Sequence, residues 1–328
     1  MPQPLIDHLA RAATFYRDQL LSSPHAIAYL KSRGVRGDTA ARFRLGYAPA
    51  GFQALRAAFP DYGDPALQTA GLVAMNDAGR RYDRFRDRVM FPILDDAGDV
   101  IGFGGRVLEG DGPKYLNSPE TPVFQKGRVL FGLTQAADAI AATSTVFVVE
   151  GYLDVVSLAQ HGVQNAVATL GTATTGQHVE RLLSLARQVV FCFDGDDAGR
   201  RAAARALEVC LPHVTDAVSI SFLFLPREHD PDSFVRAKGA DAFHDLATEA
   251  ASLEGFFLAN AMQGSSLEHA EGRARLVALA KPGLQQIVAP ALLRRLLDAL
   301  ALHTRFTAAE LAELCDLQNN LRCSIDRQ

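Results

Sequence analysis

Three stretches of this chain run as short apolar strands and then stop at acid. They are Val146-Phe-Val-Val-Glu150, Val189-Val-Phe-Cys-Phe-Asp194-Gly-Asp196, and Ser219-Ile-Ser-Phe-Leu-Phe-Leu-Pro226, the last followed by Asp230-Pro-Asp232. Each run has the length and the β-branched or aromatic content of a buried strand, and helical spacing fills the intervals. The alternation predicts strands at 146–150, 165–170, 188–194 and 218–225, with helices at 152–161, 175–187 and 197–211. A βαβ series of this regularity closes through right-handed crossovers into one parallel sheet. Ligands of such sheets bind outside the carboxyl ends of the strands. One glutamate and two Asp-x-Asp pairs are thereby expected at a single edge, where so many like charges require cations to offset them. Hard carboxylate oxygens suit Mg²⁺ or Mn²⁺. The pattern points to metal-dependent phosphoryl or nucleotidyl transfer.

On either side of this region the pattern changes. Residues 1–40 read as two helices, with Leu5, Leu9, Ala12 and Ala13 spaced helically and Ser22-Ser23-Pro24 opening the second. From Phe43 to about residue 140 the chain is rich in glycine, proline and short strand-like runs. Two of these, Arg88-Val-Met-Phe-Pro-Ile-Leu94 and Val100-Ile-Gly-Phe-Gly-Gly-Arg106, are joined by a hairpin turn at Asp95-Asp-Ala-Gly-Asp99. After Asp232, Ala, Leu, Glu and Arg recur with helical spacing, as in Leu292-Leu-Arg-Arg-Leu-Leu-Asp-Ala-Leu300. The expected class is α/β in three parts: a mixed α/β subdomain over 1–140, a parallel sheet flanked by helices over 141–235, and a helical bundle over 236–328.

Composition narrows the function. No apolar run approaches a membrane span, and the start, Met1-Pro-Gln-Pro-Leu-Ile-Asp-His8, lacks the basic and apolar segments of a secretory leader. Cys192, Cys210, Cys315 and Cys323 are scattered with no CxxC pair, so reduced structural thiols are expected and a zinc site is not. The net charge of −4 is unevenly spread. Residues 1–128 hold 17 Lys+Arg against 14 Asp+Glu, and the remaining residues hold 16 against 23. That polarity fits an anionic polymer on one half and metal ions in the other.

An Asp-x-Asp pair at a strand end puts both side chains on one face, so Asp194 and Asp196 can grip one ion or bridge two. Gly195 between them allows close backbone approach. Asp197 opens a helix and is read as its cap. Asp154 lies one helical turn beyond Glu150 and can face back towards it, and Pro231 stiffens the separation of Asp230 from Asp232. Two ions would clamp the attacking and leaving oxygens of an in-line displacement. Glu150 is assigned the proton of the attacking hydroxyl and the aspartates the ions.

With those residues in view, Glu150-Gly-Tyr-Leu-Asp154, Asp194-Gly-Asp196 and Asp230-Pro-Asp232 resemble the catalytic signature of the Toprim domain. Arg84-Phe-Arg-Asp-Arg-Val-Met-Phe-Pro-Ile93, Gly102-Phe-Gly-Gly-Arg106, Pro113-Lys-Tyr-Leu-Asn-Ser-Pro-Glu120 and Phe124-Gln-Lys-Gly-Arg128 narrow the likeness to the bacterial replicative DNA primases. The resemblance covers the chain from about residue 5 to the bundle near 300. It implies joining of ribonucleoside triphosphates on single-stranded DNA into a short RNA primer, with an RNA–DNA hybrid as product. It implies a metal-binding cluster of Glu150, Asp154, Asp194, Asp196, Asp230 and Asp232, with Glu150, Asp194 and Asp196 catalytic.

Arg42, Arg84, Arg86, Arg106, Lys114, Asn117, Lys126 and Arg128 fall on the family's template- or nucleotide-contacting positions. Two of the chain's five lysines, Lys114 and Lys126, sit in this one region. For Arg84, Arg86 and Arg88 the competing expectation is a solvated strand face paired with Asp83 and Asp87. The family's preceding zinc domain and its helicase-binding domain are expected to be absent, leaving the replicative helicase as a partner of the longer protein only. The place of action implied is the bacterial cytoplasm, at replication forks on the nucleoid, with no membrane partner. A Toprim-fold nuclease and an inactive single-stranded-DNA-binding fragment stand as alternatives.

Overall fold

The computed structural model describes residues 3–109, 112–171 and 173–317; the stretch from Asn319 to Gln328, on which the resemblance is not expected to extend, lies outside them. Two compact units share the chain. Met1–Ala142, Val148–Thr172 and Asp230–Phe243 form the first, and Thr143–Phe147, Ala173–His229 and His244–Gln328 form the second. Boundaries at 140/141 and 235/236 fall inside helices, as the ranges below show.

The first unit opens on α1 (Gln3–Leu21), which buries Leu5, Leu9, Ala12, Tyr16 and Leu20 at helical spacing. Ser23 caps α2 (Pro24–Ser32), its side chain accepting from the Ala26 amide. A third helix, α3 (Gly37–Arg42), follows where only two were expected; six residues are too few to show a periodic stripe. The strands β1 (Gly46–Ala48), β2 (Val73–Met75), β3 (Arg81–Asp83), β4 (Arg88–Leu94), β5 (Val100–Val107) and β6 (Tyr115–Asn117) come next, with α4 (Pro65–Thr69) ahead of β2. A four-stranded antiparallel sheet runs in the order β1-β4-β5-β6, and β2 pairs with β3 alone. The β4–β5 hairpin turns where anticipated: the Asp95 carboxylate accepts from the Ala97 and Asp99 amides at 3.0 and 2.9 Å. Gly98, at φ +84°, takes the left-handed position. Leu5, Leu9 and Tyr16 of α1 pack with Leu55, Phe59, Leu72, Phe85, Met90 and Phe103 as one core.

The central region follows the predicted alternation closely. It runs α5 (Leu133–Thr143), β7 (Thr145–Val149), α6 (Tyr152–Gln160), β8 (Ala166–Ala168), α7 (Gly176–Leu185), β9 (Gln188–Phe193), α8 (Asp197–Cys210), β10 (Ser219–Phe224) and α9 (Pro231–Thr248). The sheet order is β11-β10-β9-β7-β8, where β11 (Ala251–Ser252) is an added edge strand. Strand β10 runs parallel to β9 and antiparallel to β11, so the sheet is mixed; a two-residue strand leaves no alternation to read. Phe222 sits opposite Phe191 in the ladder, and its ring packs 4.7 Å from Phe256. The second unit ends in α10 (Leu253–Met262), α11 (Ala270–Leu284), α12 (Pro290–Thr304) and α13 (Ala308–Leu314). Among the described residues no helix is long and apolar enough to cross a membrane.

In the first unit, Tyr152 at the start of α6 reaches into the N-terminal sheet. Its ring centroid lies 5.2 Å from that of Phe91 and 4.8 Å from that of Phe131. A Cβ on Gly104 would lie 2.7 Å from the Tyr152 hydroxyl and closer still to the ring. Only glycine fits there. Gly104→Val is therefore expected to destabilise the protein by roughly 2–3 kcal/mol, the cost of overpacking a filled core; urea denaturation of the two proteins measures it.

Candidate functional site

The sheet architecture explains where the acids stand. In the first unit β7 ends at Val149, so Glu150 emerges exposed, and Gly151 turns the chain into α6. The Asp154 carboxylate folds back over Gly151. It also accepts the Asp232 amide at 3.2 Å, which ties the start of α6 to the start of α9. The Asp230 carboxylate accepts the Ser233 amide at 2.7 Å. Burial pushes the Asp230 carboxyl up, but the Ser233 amide and hydroxyl and the charge of Arg33 outweigh it, and the group is held below its ordinary range.

Asp232 is more deeply buried than Asp230. It is 2 % exposed. Arg33 takes one of its oxygens, and Arg236 Nε takes the other at 2.8 Å. The carboxylate expected as a metal ligand is thus forked between two guanidinium groups. Arg236 is legible from its i,i+4 spacing. Arg33 is 199 residues away and carried no local signal.

In the second unit Asp194 follows β9 and is exposed. Gly195 is buried against the Leu225 carbonyl so tightly that a Cβ has no room, which explains the glycine between the two acids. Asp196, not Asp197, caps α8: its Oδ1 accepts the Gly199 amide at 2.7 Å. Asp196 is the last extended residue before the helix, at φ −90° and ψ 177°, and that conformation belongs to the cap. A cap uses one of about four lone-pair sites on a carboxylate.

Among the described residues no group of three or more His, Cys, Asp or Glu is drawn together as a metal centre. The donor chemistry nonetheless fits a hard divalent ion, since Glu150, Asp154, Asp194, Asp196 and Asp230 offer only carboxylate oxygen.

The basic residues expected to contact template or nucleotide all belong to the first unit. Arg84 donates to the Asn117 carbonyl at 3.1 Å, Arg86 to the Asp83 carbonyl at 2.6 Å, and Arg88 to the Gly105 and Pro113 carbonyls at 3.0 and 2.9 Å. The expected pairing of these arginines with Asp83 and Asp87 side chains is not what holds them. The Asp83 carboxylate is buried instead against the Leu55 amide and the Tyr62 hydroxyl, at 2.9 and 2.6 Å, and burial raises its pKa. The Asp87 carboxylate accepts from the Tyr47 hydroxyl at 2.8 Å. A guanidinium held by carbonyls keeps its whole positive charge, while its direction is fixed.

Arg106 lies with its guanidinium carbon 5.1 Å from the Tyr115 ring centroid, and its buried Nε has no hydrogen-bond partner. Burial pushes the Tyr115 phenol up to about 12 against the lowering pull of Arg106. Asn117 spends both ends of its amide on the protein, donating to the Leu170 carbonyl at 2.6 Å and accepting from the Tyr152 hydroxyl at 2.8 Å. Arg42 donates to the Gln135 carbonyl at 2.9 Å. Lys114 and Arg128 are exposed, Arg128 within 3.3 Å of Gln125, and the Lys126 amide donates to Glu120.

Two stability measurements follow from this charge layout. Asp232→Ala leaves two guanidinium groups facing each other without their carboxylate and is expected to cost about 3 kcal/mol, the low end for breaking a buried pair because the arginines are partly solvated. Asp230 has a lowered folded pKa, so its contribution is complete above the ordinary carboxylate range and drains away as pH falls through the folded value. Urea midpoints of Asp230→Asn and the parent should therefore separate near neutral pH and converge in acid.

Comparison with known proteins finds three family matches along the chain. Residues 15–137 match the family described as the DNA primase catalytic core, N-terminal domain, and residues 147–235 match the Toprim-like family. Residues 255–307 match the DnaB-helicase binding domain of primase. That last match overturns the expectation that a helicase-binding domain is absent, and with it the restriction of a helicase partner to a longer protein. Helical spacing in this region reported only that helices pack, and nothing in it distinguished a binding domain from a plain bundle.

A DNA primase of Neisseria meningitidis serogroup A is 51% identical over 281 residues, covering 85% of this chain and 48% of that protein. The chain thus spans about half the length of the curated relatives it matches. The crystal structure of a DNA primase domain from Pseudomonas aeruginosa aligns at TM-score 0.91 and 47% identity, over 95% of this chain and 100% of that one. A DnaG primase catalytic domain bound to ssDNA aligns at 0.85 and 45% identity, over 91% of this chain and 98% of that one. By its sequence, its N-terminal antiparallel sheet and its Toprim-like centre, this chain belongs to the bacterial DNA primase family.

Proposed function

We propose that this chain is the polymerising core of a primase. It reads a single-stranded DNA template, joins ribonucleoside triphosphates by metal-dependent nucleotidyl transfer, and leaves a short RNA paired to DNA. The observation that carries this reading is the pair of exposed carboxylates, Glu150 and Asp194, at the ends of strands in a Toprim-like sheet. The solved relative described as bound to ssDNA supports the template.

In this reading Asp194 and Asp196 are the principal holders of Mg²⁺ or Mn²⁺, and Asp154 and Asp230 contribute further carboxylates. When bound, the ions stabilise the charge that develops on the attacking and leaving oxygens. Glu150 accepts the proton of the attacking ribose hydroxyl. Arg106 offers its guanidinium to a phosphate. Arg42, Arg84, Arg86, Lys114, Lys126 and Arg128 supply the field that attracts template and triphosphate, and Asn117 positions Tyr152 and Arg84 rather than the substrate. Helices α10 to α12 would take a DnaB-type helicase. The place of action is the bacterial cytoplasm, at replication forks on the nucleoid.

The test is incorporation of labelled ribonucleotides on a single-stranded template with Mg²⁺ or Mn²⁺. Asp194→Asn is expected to abolish short RNA products while leaving DNA binding near the parent's; synthesis retained by the variant overturns the ligand role. Template degradation without added nucleotides would replace the reading with a nuclease. Arg106→Ala is expected to weaken phosphate-dependent affinity and to reduce the salt slope by about one counterion.

A further inference from the structure

A cavity of about 670 Å³ opens in the second unit between α8, the end of β10 and α10, a size ordinary for a small-molecule site. Asp197, Arg200 and Arg201 line it from α8, Phe224 from the last position of β10, and Asn260 and the C-cap Gln263 from α10. Most of the remaining wall is small: Ala204, Ala251, Gly255 and Ala259. A Cβ on Gly255 would meet only the Ser252 hydroxyl, at 3.2 Å, so no side chain from another helix fills that space. The Phe224 and Phe256 ring centroids lie 5.4 Å apart, and the Arg200 guanidinium carbon is 5.0 Å from the Phe224 centroid.

The polar groups of this cavity are left over by the fold. Among the described residues the side chains of Arg201, Asn260 and Gln263 make no hydrogen bond or ion pair. Asp197 and Arg201 have the i,i+4 spacing, acid first, that favours pairing on a helix, yet among the described residues the pair is not formed. Elsewhere in the same unit Arg294 and Arg295 are bonded to Asp298 and Glu254.

We propose that this cavity binds an adenine ribonucleoside diphosphate, held by its own cations and needing no metal ion. Small residues beside two rings leave a slot for a flat, largely apolar body. A carboxamide donates and accepts at once, and Asn or Gln matches the N6 and N7 edge of adenine with two hydrogen bonds. Asn260 and Gln263 supply two such groups. Arg200 and Arg201 bring guanidinium forks to the diphosphate and offset most of its charge. Asp197 is the acceptor for ribose hydroxyls, the part a carboxylate takes in dinucleotide sites. A nucleic-acid strand would need cations spread along its length, whereas two on one helix suit a single short phosphate chain. The site does not depend on the polymerising reading, whose phosphates are held through ions at the strand-end acids.

Equilibrium dialysis of radiolabelled ADP against the whole chain in EDTA tests this. Saturable binding is expected, unchanged in Asp194→Asn, and UDP should bind at least roughly 5-fold more weakly for want of the adenine edge. Ala259→Trp, at an exposed helical position, fills the slot and should abolish binding. Arg201→Gln, also exposed, should weaken it roughly 10- to 100-fold, the loss of one charge-assisted phosphate contact. Thermal melts of both variants should overlay the parent's, which separates loss of the site from loss of the fold. No binding of ADP by the parent in EDTA overturns the proposal, as does equal binding of ADP and UDP. Binding that survives Arg201→Gln at full strength, or that disappears in Asp194→Asn, overturns it by placing the nucleotide elsewhere. None of these results bears on primer synthesis, which is measured with metal present.

Discussion

The contact of Tyr152 with Gly104 is the constraint on which the functional half of the first unit depends. The ring enters a slot that exists only because position 104 has no side chain, between Phe91 of β4 and Phe131 ahead of α5. Its hydroxyl closes on Asn117, and Asn117 in turn holds Arg84 and the Leu170 carbonyl. Tyr152 is also the first residue of α6. Fixing it fixes the turn at Gly151, the exit of Glu150 from β7, and the face on which Asp154 projects. A packing contact thus sets the direction of two carboxylates that never touch it.

Charge is distributed by a second rule: two buried acids are satisfied internally, and three arginines of the first unit are held by neutral partners. Asp83 and Asp232 are each 2 % exposed and are satisfied internally, one by an amide and a hydroxyl, the other by two arginines. Arg84, Arg86 and Arg88 bond to carbonyls. Had the same arginines been neutralised by neighbouring aspartates, the surface would lose the field that attracts a polyanion. Using main-chain oxygen for orientation preserves that field at the cost of partial burial, which lowers the pKa of Arg84 and Arg88 without discharging them.

The sequence made visible what depends on short-range periodicity. Strand–helix alternation from 145 to 225, the Ser23 cap and the Asp95–Asp99 turn all emerged because each is written in a few adjacent residues. The motifs also exposed Glu150 and Asp194 as strand-end acids. Long-range pairing stayed hidden. Nothing near Asp232 announces Arg33, so the pairing of its carboxylate with two guanidinium groups was not legible in the motif. The cap was placed one residue late because Asp196 and Asp197 are the same side chain, and only the backbone angle separates them. The helicase-binding match over 255–307 was missed for a related reason: amphipathic spacing records burial, and a docking surface is defined by what is left unburied.

Neither unit is a continuous piece of chain, and this has a consequence for biosynthesis. The first unit is completed only by Asp230–Phe243, whose Asp232 is the partner of Arg33. At a ribosomal rate of about 5–20 residues per second, the 199 residues between them take roughly 10–40 s to make. For that interval Arg33 has no carboxylate, and for the 78 residues after Asp154 is made the start of α6 lacks its tie to α9. The nascent chain must therefore carry an unfinished N-terminal unit until Asp232 is made. The buried ion cluster acts as a latch that closes late, 199 residues after Arg33 is made.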